Sequence, residues 1–246
     1  MYRSRSFHTY LNRNIRYHVF QLQNFLCKPV KRSIENSLTL LKGQAYTQYN
    51  IIAPGSAISL TGPAGIWHAK NYKSINIEHV YVPEYSIPTF NTLAIAVNNS
   101  KLKNYITVRN IEFFDYFEQL TGNGIIFSDL DFDATCTIDS VGQELVKFAY
   151  MLPSKLDNLT PIFTLTVTLC TRRTGGQTKL AFEKTFLNTL KSIDKIKILD
   201  IHMESYKDVC GSPMITFFLV LGRSSYINVI DPSFKVITQS FKKILP

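Results

Sequence analysis

No acidic residue occurs before Glu35, and the 246-residue chain has one tryptophan and only four cysteines. Each shortage excludes something. Cys27, Cys136, Cys170 and Cys210 form no CxxC pair and stand at no zinc-finger spacing with histidine. A disulfide framework and a structural zinc site are therefore not expected, and the thiols are taken as reduced. No apolar run reaches the ~18–20 residues that a membrane-spanning helix needs. The N-terminus also lacks the apolar centre of a secretory signal. The GxxxxGKS/T phosphate loop, HExxH and GxSxG are all missing, and the five histidines show no metal-ligand spacing. These absences lead to an expectation of an intracellular protein that is not an enzyme and uses neither cofactor nor metal.

What is present is a body rich in short alternating segments. Hydrophobic residues make up 45% and aromatics 13%, enough for a sizeable core. The stretch Pro161–Gly176 organises the rest. Phe163, Leu165, Val167 and Leu169 alternate with Thr164, Thr166, Thr168 and Cys170, as in a half-buried strand, before Arg172, Arg173 and two glycines end it. Similar patterns predict strands over Gln44–Ile52, Ser56–Leu60, Ile75–Val82, Leu93–Val97, Ile125–Ile138 and Leu145–Leu152, the last closed by Pro153. Ile106–Phe117 begins as strand and can finish as a short helix.

After the central strand the periodicity lengthens. Leu180, Phe186, Leu187, Leu190 and Ile193 predict a helix over Lys179–Asp194. Strands follow at Lys195–Ile201 and Ile215–Leu221, with Tyr226–Ile230 completing a hairpin, and a last helix spans 233–245. The fold class expected is mainly β: a jelly-roll-like or sandwich β core with a few flanking helices and a basic N-terminal arm. Residues 1–34 are that arm, and 35–246 form one β-rich domain.

The net charge of +9 belongs to the arm. Arg3, Arg5, Arg13, Arg16, Lys28, Lys31 and Arg32 lie in it, leaving 20 basic against 18 acidic residues elsewhere. Tyr2, Phe7, Tyr10, Tyr17, Phe20 and Phe25 are interleaved. Cations that meet phosphates and rings that stack on bases suit single-stranded nucleic acid, RNA in preference to DNA. Three other uses stay open. Leu11, Ile15, Val19, Leu22 and Leu26 recur at helical spacing, which fits an anionic membrane surface, a helix packed on the body, or a mitochondrial presequence.

Candidate chemistry in the body is sparse. Asp129, Asp131 and Asp133 suggest a cation loop, but Ala134 and Ser140 stand where an EF-hand places Gly and Glu; the acids are expected on the solvent face of a strand. Trp67 beside His68 is expected to be a core plug. Arg172 and Arg173 are the best body site for phosphate contact, so the candidate nucleic-acid-binding set is this pair plus the seven arm cations.

Ser74–Val97, taken as strand, proline-marked loop and strand, resembles the opening of the thirty-kilodalton superfamily of plant virus movement proteins. Phe148–Pro153 with Pro161–Arg173 resembles the paired strands that close that family's core, and Leu40-Leu41-Lys42-Gly43 adds to the likeness over residues 38–175. The resemblance implies a jelly-roll-like core, non-specific binding of single-stranded nucleic acid, membrane association and traffic through plasmodesmata. Location would then be the host cytoplasm, cell periphery or plasmodesmata. A viral matrix or capsid protein, self-assembling as a homo-oligomer, is the alternative.

Overall fold

The computed structural model describes residues 39–47, 55–59, 72–73, 75, 77–122, 127–133, 138–156, 162–171, 177–207 and 211–224. Helix α1 comprises residues 39–47. There follow β1 (Ser56–Ser59), β2 (His79–Pro83), α2 (Ile87–Asn98), β3 (Ile106–Arg109), α3 (Phe113–Gly122), β4 (Phe127–Asp133), α4 (Ile138–Leu156) and β5 (Ile162–Cys170). Helix α5 starts at Thr178–Phe182, passes through a π-helical turn at Glu183–Leu187 and ends at Asn188–Ser192. Strands β6 (Ile196–Lys207) and β7 (Pro213–Arg223) complete the described elements.

All seven strands form one sheet in the order β3-β2-β1-β4-β5-β7-β6. The first five are mutually parallel, and β7 runs antiparallel to both β5 and β6. This is an α/β sheet, and it replaces the expected mainly β jelly roll or sandwich. Parallel strands need crossovers, and those from β2 to β3, β3 to β4 and β4 to β5 carry α2, α3 and α4, which lie on both faces.

On one face, Phe113, Phe117, Phe148, Phe182 and Phe186 of α3, α4 and α5 pack on Ile58, Leu165, Val167, Phe217 and Leu219. The Phe182 ring stacks on Phe217 with centroids 3.9 Å apart. On the other face, Leu41 and Ala45 of α1 and Leu93 and Val97 of α2 join Ala57, Val80, Val82, Ile106, Phe218 and Val220.

Strand β5 lies where its alternation placed it, but it is not half-buried. Thr164 and Thr166 are both 0% exposed, because the threonine face is covered as fully as the leucine face. The sequence alternates in polarity while the environment does not.

Two expected strands are helices. Leu93–Val97 lies inside α2, with proline in its first turn, where the missing N–H costs nothing. Leu145–Leu152 lies inside α4, where Leu145, Phe148, Ala149 and Leu152 are buried at spacings of three and four; Pro153 falls within the helix instead of closing a strand. Residues 44–47 of the expected Gln44–Ile52 strand are helical too. The change from strand to helix in Ile106–Phe117 and the helix over Lys179–Asp194 are both observed. Tyr226–Ile230 and the helix at 233–245 lie outside the described residues.

Candidate active site

The strand order places the candidate site. From β1 the chain builds outward through β2 and β3 on one side and through β4 and β5 on the other. The strand order reverses between β1 and β4, and ligands of open α/β sheets bind beyond the C-terminal strand ends at such a switch point. Ser59 ends β1 and is paired in register with Asp131; Asp133 ends β4, level with Thr168 of β5. The Ser59 hydroxyl is fully buried and has no hydrogen-bond partner among the described residues. A buried orphan hydroxyl costs about 1–3 kcal/mol, so a polar group lodged there would relieve it.

Next to β1, β2 ends at Pro83 and delivers Glu84 to the same edge. Backbone and side-chain bonds fix this turn. The Glu84 N–H donates to the Arg109 carbonyl (2.9 Å), and Asn110 Nδ2 donates to the carbonyls of Glu84 (2.8 Å) and Tyr85 (3.1 Å). One carboxylate oxygen, Oε1, accepts the Ser86 N–H at 2.7 Å. The other has no partner among the described residues. Burial pushes the Glu84 carboxyl above its ordinary value, and the bond from Ser86 partly offsets this. The side chain is thus a half-buried, oriented acceptor with one oxygen to spare, suited to neighbouring hydroxyl donors.

Beyond it, Arg109 ends β3, and the Tyr116 ring of α3 meets Tyr81 edge-on at 6.1 Å. On the β5 side, the Thr168 and Thr216 hydroxyls pair at 2.9 Å. Thr171 is tied to β7 by its N–H (2.8 Å) and its hydroxyl (3.1 Å), both donated to the Pro213 carbonyl. No group of three His, Cys, Asp or Glu that could hold a metal stands together among the described residues. Nor is any described helix long and apolar enough to cross a membrane.

The arm cations Arg3, Arg5, Arg13, Arg16, Lys28, Lys31 and Arg32 lie outside the described residues, as do Arg172 and Arg173. That pair follows Thr171 directly in sequence. The three aspartates are on β4, between β1 and β5.

Glu84 was not anticipated from sequence. A signal existed: an acid directly after the β-branched run VYVP, about 20 residues beyond the Gly62–Gly65 punctuation that follows β1, is the spacing of a ribose-binding acid in a dinucleotide fold. The resemblance to a movement-protein strand and loop covers the same run and hides it.

Comparison with solved structures shows the same architecture. An O-methyltransferase from Bacillus cereus, determined with SAH, is 14% identical with a TM-score of 0.54, covering 83% of this chain and 89% of its own. The O-methyltransferase TomG from Streptomyces achromogenes, determined with SAM, is also 14% identical, with a TM-score of 0.51 and coverage of 76% and 79%. No protein-family model matches the chain, and no curated protein matches it in sequence.

At this identity the likeness is one of fold alone: a Rossmann-like α/β fold. It overturns the resemblance to plant virus movement proteins and the matrix or capsid alternative, since both required a jelly-roll-like core. The expectation of a non-enzyme falls as well, because it rested on missing motifs, and this fold marks its site by topology.

Proposed function

We propose that the protein is an S-adenosylmethionine-dependent methyltransferase whose cofactor binds at the C-terminal ends of β1, β2 and β4. The observation that carries this is Glu84: an oriented carboxylate with an unused oxygen, one strand from the switch point. Glu84 would accept the hydroxyls of the cofactor's ribose, while Ser86 and Asn110 hold it in position. The orphan hydroxyl of Ser59 fits a polar group seated above the sheet edge. The cofactor, when bound, supplies an electrophilic methyl group on a sulfonium.

The acceptor we propose is single-stranded nucleic acid, RNA before DNA. Seven of the 27 basic residues precede Glu35 with no acid among them, so the arm can gather phosphates while the near-neutral body carries the chemistry. The test is transfer of labelled methyl groups from S-adenosylmethionine to single-stranded RNA. With the donor below saturation, Glu84→Gln should lose at least about ten-fold in rate, as expected for a bond to a charged acceptor. Equal rates would remove Glu84 from the site. Label recovered only in protein or lipid would overturn the acceptor class.

A further inference from the structure

The body is near neutral, but its charge is unevenly placed. No acidic residue occurs between Glu84 and Glu112, a feature shared with residues 1–34. This stretch comprises α2, the turn after it and β3, the strand at one edge of the sheet. Helix α2 starts beside the Glu84 turn, and its 12 residues carry the chain about 18 Å toward the opposite end of the strands.

Buried and exposed residues divide α2 lengthwise. Leu93 and Val97 face the core, whereas Ile87 and Ile95 are 61% and 63% exposed, with exposed Asn91 between them at spacings of four. Tyr85, 78% exposed, stands just ahead of this stripe. At its far end Asn98, Asn99, Lys101, Lys103 and Asn104 are all exposed.

The turn that carries the two lysines is fixed by hydrogen bonds. The Ser100 hydroxyl donates to the Val97 carbonyl at 2.8 Å and accepts the Leu102 N–H at 3.1 Å. The Leu102 carbonyl accepts the N–H groups of Tyr105 (2.8 Å) and Ile106 (3.0 Å), and the Leu102 side chain is buried. Lys101 and Lys103 therefore flank an anchored residue. Lys73 adds a third cation, its Nζ 4.8 Å above the centroid of the Tyr105 ring. Against these three stands Glu78, one residue ahead of β2. The helix dipole does not account for the lysines: the last turn of α2 holds no basic residue, and both lie past its end.

We propose that single-stranded RNA runs along α2, with bases against Tyr85, Ile87 and Ile95 and phosphates on Lys73, Lys101 and Lys103. The path rests on the RNA-methyltransferase reading above and gives the acceptor a place on the body. Exposed rings and apolar groups meet unstacked bases, while ammonium and amide donors meet phosphates. The fold sets the alignment: α2 begins at the turn that holds Glu84, so a strand lying on it has one end at the methyl donor. The stripe is narrow and its cations gather at one end, which suits an extended polymer better than a flat lipid surface.

The experiment is fluorescence anisotropy of the full chain with labelled, unstructured single-stranded RNA over a salt series. Replacing both lysines (Lys101→Ala with Lys103→Ala) should weaken binding at least about five-fold at low salt and make the slope of log affinity against log salt shallower by about 1.4, at about 0.7 per phosphate. Ile95→Glu should weaken binding at least about three-fold, because it sets a carboxylate against the phosphates. Leu180→Glu, at an exposed site on α5, should not. Affinity for S-adenosylhomocysteine should be unchanged in all of them. Wild-type affinity and slope in the lysine pair, or equal losses from Ile95→Glu and Leu180→Glu, would overturn the path while leaving the acceptor reading in place. A full chain that binds no RNA would overturn both. Loss of anionic-vesicle binding in the lysine pair with RNA affinity intact would overturn the path as well, giving this surface to a membrane.

Discussion

Thr166→Val should stabilise the protein, although threonine faces of strands usually point to water. Thr166 is 0% exposed, and its hydroxyl has no hydrogen-bond partner among the described residues. Burying a hydroxyl without a bond costs roughly 1–3 kcal/mol. Valine keeps the β-branched shape and strand preference while removing the orphan. A gain of about 1–2 kcal/mol follows, or about 2–8 °C in melting temperature for a chain of this size. Thr168→Val, two residues on, should act in the opposite sense. It breaks the 2.9 Å pair and leaves the Thr216 hydroxyl buried alone, costing about 1–3 kcal/mol. Urea denaturation of both variants at constant m-value is the assay. Two neutral substitutions would mean that the threonine face of β5 is in contact with water. A destabilised Thr166→Val would mean that its hydroxyl is bonded after all.

Phe182→Ala should cost about 3–5 kcal/mol, since the ring is fully buried and stacked on Phe217; a loss under 1 kcal/mol on urea denaturation would show that α5 does not seal that face. For Asp200, burial raises the carboxyl, but the His202 hydrogen bond and charge and the Ile201 N–H outweigh it and hold it below its ordinary value. Its contribution is therefore present above about pH 4 and lost as pH falls through the lower folded value, so acid titration should destabilise wild type more than Asp200→Asn in that window. Deleting residues 1–34 should abolish most affinity for unstructured single-stranded RNA while leaving the fold intact. In the full chain, log affinity should fall with log salt at a slope of roughly −3 to −5. Unchanged RNA binding after the deletion would move the contact to the body, and loss of liposome binding alone would make the arm a membrane anchor.

Local pattern located β5 and β7, the start of β6 and helix α5, because each is a run whose side-chain period matches its backbone. It failed for α2 and α4. In α2, Leu93, Ile95 and Val97 alternate by chance with Ala94 and Ala96, yet Ile95 is exposed while Leu93 and Val97 are buried. That is a helical spacing of four, not a strand period of two. In α4, Pro153 suggests the end of a strand, although it sits within the helix. These two errors turned crossover helices into strands, and an alternating α/β chain into an apparent β sandwich. The site was lost with them. A switch point between β1 and β4 exists only once strand order and direction are known, and neither is written in any local segment. Glu84 has a local signal, but it acquires meaning only beside a parallel β1.

The reading proposed above places the nucleoside of S-adenosylmethionine beside Glu84, at the C-terminal strand ends. Isothermal titration of S-adenosylhomocysteine into the full-length protein tests it most directly, since the product analogue keeps the ribose and needs no acceptor. A single site with a micromolar dissociation constant, weakened about ten-fold or more in Glu84→Gln, is the expected result. Absence of binding at millimolar ligand, or wild-type affinity in Glu84→Gln, would contradict the account.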